Sequence, residues 1–220
     1  MGLNSLLELE DNHVLCDLGC GTGRLTMSLA QKAYCTIGVN FSFESLKLFR
    51  RRIADSMRQR IHLIQADIFH LPLRNQLFHR VVSNNVFEHL PGLLKNKSPI
   101  LETARILKNE GLFVLSIYNF SSIRAFFTRL IPASTYGERY EQEGFHAGKV
   151  YYRRYRWEEV IDLLSTAFEV ERMAGIRIIP KEILKHGGRL ALLVERTLQS
   201  STFSRPLGYY LLASSRKVAE

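Results

Sequence analysis

The amino-acid sequence predicts an α/β fold, in which a mostly parallel β-sheet carries helices on both faces. Short apolar runs, typical of buried strands, alternate with segments of helical periodicity over the first half of the chain. A cluster of glycines follows the first of these runs, where a strand would turn into a helix. Together, the alternation and the glycine turn favour the open, doubly wound sheet over all-α and all-β classes.

The predicted elements follow one another regularly up to residue 118. We expect strands at residues 14–18, 35–39, 62–66, 80–83 and 111–118, and helices at residues 24–33, 43–57 and, interrupted near Pro91 and Pro99, within 85–108. The alternation lapses over residues 119–156, which is too long for an ordinary connection and indicates an insertion. It resumes with a helix at 157–166, a strand at 168–174 and a strand-like run at 208–214.

Length and composition fit a single globular domain spanning residues 1–220. The chain is 46% hydrophobic and 23% charged, which argues against disordered and fibrous classes. No apolar run approaches the roughly 20 residues that a transmembrane helix needs. The three cysteines, an odd number in or beside predicted core strands, indicate reduced thiols and a cytoplasmic protein.

The formal net charge of +9 leaves the kind of partner open. A basic excess can attract a nucleic acid, an anionic membrane surface or an acidic small molecule, but a solvated surface without a specific partner is the commonest explanation. Peripheral membrane contact therefore stays open, and nucleic acid stays open without being favoured.

The glycine turn spans Asp17, Gly19, Gly21 and Gly23 and lies at the carboxyl edge of the predicted sheet, where open α/β folds bind ligands. Glycines allow a sharp turn and let a ligand approach the backbone without meeting a Cβ atom. A dinucleotide fingerprint would require a third glycine at the position of Arg24, so this turn differs from that class.

Residues 14–24, VLCDLGCGTGR, resemble the first motif of the class I S-adenosylmethionine-dependent methyltransferases, particularly the broad group that includes quinone-biosynthesis enzymes. Residues 38–44, 65–72, 78–91 and 105–112 resemble the next conserved stretches of that family, in order. The resemblance covers residues 12–118 and implies a Rossmann-like, seven-stranded sheet whose antiparallel final strand lies beside strand five. It also implies S-adenosyl-L-methionine as cofactor.

The resemblance assigns cofactor roles to particular positions. Gly19 and Gly21 would let the methionine end lie against the backbone, and Asp17 would orient its ammonium group. Asn40 and Phe41 match the stretch after strand two, where the family usually has an acidic residue that accepts from both ribose hydroxyls. The remaining predicted contacts are Asp67 and the Ile68 amide, for the adenine, and Asn84, beside the sulfonium region.

Asn40 is the main departure from the family pattern. An amide has one acceptor oxygen and a donor where a carboxylate has two acceptors. We therefore expect weaker cofactor binding, by about 1–2 kcal/mol, than an acidic residue would give.

We expect the acceptor to be a small or lipid-like molecule that docks under residues 119–156 and is methylated on oxygen or carbon. A family turn typical of base N-methylation is missing, because residues 83–86 contain no proline. His146, between glycines in the insertion, is the first candidate for a general base, and His89 is the second. We predict no metal site, although Glu88 and His89 resemble a pair found in quinone-type O-methyltransferases.

Two other features of the insertion admit two interpretations each. Apolar residues at helical spacing from Phe120 to Leu130 predict a helix packed on the core, or else a lid over an apolar acceptor or a membrane-facing patch. Residues 149–157, KVYYRRYRW, predict a half-solvated strand followed by a helix start, or else a surface that stacks and neutralises RNA or binds an anionic lipid headgroup. Two alternative functions follow: an RNA-directed enzyme or binding module, and a catalytically degenerate interaction subunit.

Overall fold

The computed structural model describes residues 3–122, 143–146, 150–178 and 207–218, with residues 188, 193–194 and 197–198; for residue 4 and residues 143–146 it describes only the backbone. The strands are β1 (Val14–Leu18), β2 (Cys35–Asn40), β3 (Ile61–Gln65), β4 (Phe78–Asn84), β5 (Leu107–Tyr118), β6 (Glu143–His146), β7 (Val150–Arg153), β8 (Phe168–Ile176) and β9 (Tyr210–Lys217). The helices are α1 (Leu3–Leu6), α2 (Arg24–Leu29), α3 (Phe43–Arg52), α4 (Ser98–Ile106) and α5 (Trp157–Leu164), with 3₁₀ turns at Asp55–Met57 and Phe87–His89.

Seven strands form one sheet in the order β3-β2-β1-β4-β5-β9-β8. Strand β9 pairs antiparallel with both β5 and β8, and the pairings from β3 across to β5 are parallel. This confirms the predicted α/β fold, including the antiparallel final strand inserted beside strand five. The strand order reverses at β1, which places the glycine turn at the switch point where such sheets bind ligands.

Several boundaries differ from the predicted ones. Helix α3 ends at Arg52 because Ile53 adopts an extended conformation and is buried against the core. At its other end Ser42 caps the helix, accepting a 3.2 Å hydrogen bond from the Ser45 amide. Strand β5 begins at Leu107, four residues earlier than predicted, and contains Glu110 with a φ of +60° beside a shift in register.

Apolar side chains cover both faces of the sheet. On one face, aromatic side chains of β5, β8 and the turn after β4 pack together, with Phe113 5.9 Å from Phe87 and 5.4 Å from Phe168 between ring centroids. Helices α1 and α2 contribute to a cluster on the other face that includes Leu7 and Leu15. Because the central strands are buried on both sides, their carboxyl ends form a rigid edge for a site.

The insertion is described only in part. Strands β6 and β7 pair as an antiparallel hairpin, in which His146 lies opposite Val150. The predicted helix from Phe120 to Leu130 lies outside the described residues, apart from Phe120 and the serines that follow it. Among the helices that the structure describes, none is long and apolar enough to cross a membrane.

Candidate functional site

Three glycines in the turn after β1 have positive φ angles, and each has a different surrounding. Gly19 (φ +80°) and Gly23 (φ +80°) leave no room for a side chain, because a Cβ atom would collide with Val86 at Gly19 and with the Phe49 ring at Gly23. Gly21 (φ +53°) faces open space, with no atom within 4 Å of the position of a Cβ atom. The outer two glycines are thus required for packing, whereas Gly21 keeps a space clear.

Asn40, at the end of β2, holds the glycine turn from the side. Its Oδ1 accepts a 3.1 Å hydrogen bond from the Gly21 amide, and its Nδ2 donates to the Ser42 carbonyl at 3.2 Å. The Gly19 and Cys20 amides both donate to the Val39 carbonyl, at 2.8 and 3.0 Å. One acceptor position of the single amide oxygen is therefore already used by the turn.

Asp17 is buried behind the turn rather than open to it. Its Oδ2 accepts a 2.6 Å hydrogen bond from the Thr26 hydroxyl of α2, which ties β1 to the helix that follows. Burial raises the pKa of Asp17 to about 6, and the Thr26 hydrogen bond partly opposes that rise. This geometry gives Asp17 a structural role beside the cofactor contact that the sequence predicts.

The segment after β3 presents polar and apolar groups at the same edge. Asp67 is exposed, and its Oδ1 accepts a 3.0 Å hydrogen bond from the Phe69 amide, which fixes the carboxylate in a tight turn. Across from it, the Phe41 side chain after β2 is 76% exposed. An exposed aromatic ring near a fixed carboxylate suits a planar base that carries an amino group.

A cavity of about 430 Å³ connects these groups at the carboxyl ends of β1, β2, β3 and β4. Five of the predicted cofactor residues line it, namely Gly19, Asn40, Phe41, Asp67 and Ile68. Three others, Asp17, Gly21 and Asn84, lie outside its lining; Asn84 is exposed at the end of β4. The volume is in the range of small-molecule sites, and the mostly apolar lining with few polar groups fits an adenosine.

The turn after β4 forms the opposite wall of this cavity and includes a residue that sequence reasoning missed. Val86, His89, Leu90 and Pro91 line the cavity there. The importance of Val86 could not be predicted from its type or spacing, because it depends on contact with Gly19, 67 positions earlier in the chain.

His89 is the predicted catalytic residue that the structure places at the cavity. Its Nδ1 lies 2.7 Å from the Tyr151 carbonyl, and its ring meets Tyr118 edge to face, with centroids 6.1 Å apart. A carbonyl only accepts hydrogen bonds, so Nδ1 carries the hydrogen and Nε2 is the nitrogen that can take a proton in the neutral ring. Tyr151 belongs to β7, so the insertion directly orients this imidazole.

His146, the first candidate from the sequence, ends strand β6 instead of lying in a loop. The structure describes its backbone alone, and its proposed role stays a prediction. The basic and aromatic run that follows is mainly packed inward: Tyr152, Arg154 and Tyr155 are buried, with the Arg154 guanidinium 4.5 Å from the centre of the Tyr152 ring. Burial of these rings favours the packing interpretation over a surface for stacking RNA bases.

No metal ligands converge in the described ranges: no group of three His, Cys, Asp or Glu side chains there could hold an ion.

Comparison with known proteins agrees with this geometry. Residues 16–115 match the sequence profile of a methyltransferase domain family. This match, over just under half of the chain, supports a place in the class I S-adenosylmethionine-dependent methyltransferase family. The matched residues run from β1 into β5, and so include every element that lines the cavity.

Individual relatives match the same region of the chain. The methyltransferase GfsG of Streptomyces halstedii is 29% identical over 112 residues, which are 50% of this chain and 39% of that protein. A demethylmenaquinone methyltransferase of Lactobacillus johnsonii is 30% identical over 109 residues, 48% of this chain and 43% of that protein. The chain thus spans about half or less of the length of these relatives.

A solved structure extends the likeness to the whole fold. The S-adenosylmethionine-dependent methyltransferase from Mesorhizobium loti superposes with a TM-score of 0.68 at 18% identity, covering 98% of this chain and 95% of that one. The seven-stranded sheet, including the segments after β5, is therefore a methyltransferase fold.

Proposed function

We propose that this chain transfers the methyl group of S-adenosylmethionine to an oxygen or carbon atom of a small or lipid-like acceptor. The observation that carries the proposal is the cavity at the carboxyl edge, where five residues predicted for the cofactor meet a histidine on the facing wall. When bound, the cofactor supplies an activated methyl group on its sulfonium. The residues of the chain bind the cofactor, exclude water and hold a base near the reacting atoms.

The geometry of the lining supports particular cofactor contacts. Asp67 would accept from the adenine amino group while the exposed Phe41 ring covers the base, and Asn40 would face the ribose. The open space at Gly21 would admit the methionine end close to the backbone. A relative named for demethylmenaquinone supports a quinone-like or other lipid-like acceptor.

We propose His89 as the general base for transfer to oxygen or to an acidic carbon. It lines the cavity, its ring is oriented by the Tyr151 carbonyl, and Nε2 is the nitrogen that can accept a proton. His146 stays an alternative on the hairpin that packs nearby.

The function is tested by incubating the purified protein with isotope-labelled cofactor and a cell extract, followed by mass spectrometry of the labelled product. A labelled small molecule or lipid supports the proposal. Labelled RNA, with binding that falls steeply as salt increases, would support an RNA-directed enzyme instead. If calorimetry detects no binding of S-adenosylmethionine, the chain is a catalytically degenerate member of the family.

Once the acceptor is known, His89→Gln and His146→Ala separate the two candidate bases. We expect His89→Gln to lower the rate of methyl transfer by about 10²-fold while the cofactor dissociation constant stays unchanged. His146→Ala serves as the comparison. A full loss of rate in His146→Ala with a normal rate in His89→Gln would reverse the assignment.

A further inference from the structure

The wall of the cavity after β4 depends on a turn with unusual backbone geometry. Asn85 has a φ of +59°, a left-handed conformation that costs free energy in a residue with a Cβ atom. Its amide donates to the Ser116 carbonyl at 3.1 Å, and the His89 amide donates to the Val86 carbonyl at 2.9 Å. These bonds hold Val86 against Gly19, so the position of the turn sets the width of the cavity.

Glu88 secures this turn from inside the protein. Its side chain is buried, and Oε1 accepts a 2.9 Å hydrogen bond from Nδ2 of Asn85. The second oxygen, Oε2, is also buried and has no hydrogen-bond partner among the described residues. Glu88 does not line the cavity, so neither the predicted cofactor contacts nor the proposed base account for a buried carboxyl group here.

The surroundings of Glu88 favour the neutral form of its carboxyl group. A buried carboxylate needs cationic or hydrogen-bonding partners for both oxygens, whereas a neutral acid needs fewer. Burial raises the pKa of Glu88 to about 8, and the bond from Asn85 offsets only part of that rise.

Among the described residues, no cation lowers the pKa of Glu88. The 3₁₀ turn that carries Glu88 packs against β5 and β7. Burial raises the pKa values of Tyr118 on β5 and of Tyr155 after β7, and the charge of Glu88 raises both further. The other titratable or charged groups that act within this cluster are His89, Tyr151, Arg153, Arg154, Glu159, Tyr209 and Tyr210.

We propose that Glu88 is a positioning residue for the cofactor, which holds Val86 against Gly19 through its hydrogen bond to Asn85 and so sets the affinity for S-adenosylmethionine. The proposal rests on the cofactor site described under the proposed function. Its distinguishing feature is chemical. A neutral acid or an amide at position 88 can hold the turn from a buried position, whereas a hydrocarbon side chain lacks the acceptor for Asn85 and burial disfavours an ionised carboxylate there.

Calorimetric titration of S-adenosylmethionine at pH 7 tests the hydrogen bond. Glu88→Gln retains an acceptor for Asn85 at similar volume, and we expect a dissociation constant within about twofold of wild type. Glu88→Leu removes the acceptor without leaving a large void, and we expect binding about 10-fold weaker. Glu169→Gln, the same change on an exposed strand residue at the far side of the sheet, is the matched control and should bind normally.

A second variant tests the same hydrogen bond in case Glu88→Leu does not fold. Asn85→Gly removes the same hydrogen bond while glycine adopts the left-handed conformation freely. We expect Asn85→Gly to weaken binding about 5- to 10-fold, and the double variant with Glu88→Leu to bind no worse than the weaker single variant. Circular dichroism should show a folded protein in each case. Such non-additivity identifies residues that act through one interaction.

The pH dependence of binding distinguishes positioning from general structural support. Between pH 7 and 9 Glu88 loses its proton, so wild-type affinity should fall by a further 5- to 10-fold relative to Glu88→Gln. The α-amino group of the cofactor titrates near pH 8 as well, and because this contribution is common to all variants, the comparison with Glu88→Gln and Glu169→Gln removes it.

The outcomes separate failure of this inference from failure of the proposed function. Absence of cofactor binding in the wild-type protein overturns both. If wild type binds and Glu88→Leu and Asn85→Gly bind equally well, only the positioning role is overturned. Parallel pH profiles for wild type and Glu88→Gln would likewise overturn it, because the ionisation of Glu88 would then have no effect on the site.

Discussion

The three glycines of the turn after β1 give the sharpest test of the site, because the structure predicts a different consequence for each substitution. In Gly21→Ala the new methyl group enters open space, and the cost to the free protein is the left-handed backbone alone, about 1–2 kcal/mol. For a protein of this size, that corresponds to a fall in Tm of about 2–8 °C. If the cofactor lies against Gly21, however, the methyl group occupies the space that it needs.

Gly92→Ala and Gly23→Ala are the matched controls. Gly92 (φ +69°) also faces open space, so Gly92→Ala should show the same small loss of stability with normal cofactor binding. Gly23→Ala combines the same backbone cost with a collision against the buried Phe49 ring, which adds about 1–3 kcal/mol. We therefore expect a clearly larger fall in Tm for Gly23→Ala than for the other two variants.

The assays are thermal unfolding followed by circular dichroism and calorimetric titration of S-adenosylmethionine below the lowest Tm. We expect Gly21→Ala to lose at least 10-fold in affinity while remaining folded. A Gly21→Ala protein that binds as wild type does would refute the placement of the cofactor against this turn. Equal losses of affinity in Gly21→Ala and Gly92→Ala would attribute the effect to backbone strain alone.

Three further outcomes follow from individual contacts. Asn40→Asp should tighten cofactor binding about 5-fold, since a second acceptor for the ribose outweighs the lost donor to Ser42; calorimetry that shows weaker binding would assign Asn40 another role. Burial first, and then nearby cations, lower the pKa of His79, whose Nδ1 accepts from the Val14 amide at 3.0 Å. The neutral His79 ring therefore contributes stability that is present above about pH 6.5 and is lost as pH falls below it. Tm should drop more between pH 7 and 5 in wild type than in His79→Gln, and equal drops would contradict this. Glu88 has a raised pKa, so its contribution to stability is greatest below pH 4.5 and is lost as pH rises to about 8. The Tm of Glu88→Gln should therefore rise relative to that of wild type from pH 5 to pH 8. A constant difference in Tm would show that Glu88 keeps its charge in the folded protein.

The sequence could predict the local signals of the fold and much of the cavity lining. Apolar runs of strand length, the glycines after β1 and the order of the elements depend on neighbours in the chain, and these led to the correct sheet and to the position of its antiparallel final strand. Resemblance to the family then placed Gly19, Asn40 and Asp67 at the carboxyl edge, where the structure finds them around one cavity.

Only the tertiary structure decided which distant side chains complete the site. The need for glycine at position 19 comes from Val86, and the single acceptor oxygen of Asn40 is engaged by Gly21. These contacts join residues separated by many positions in the chain, so neither residue type nor periodicity encodes them. The burial of Glu88 has the same origin: next to His89 in the sequence it resembles a solvated helix start, whereas in the fold β5 and β7 close over it and remove the water that would stabilise its charge.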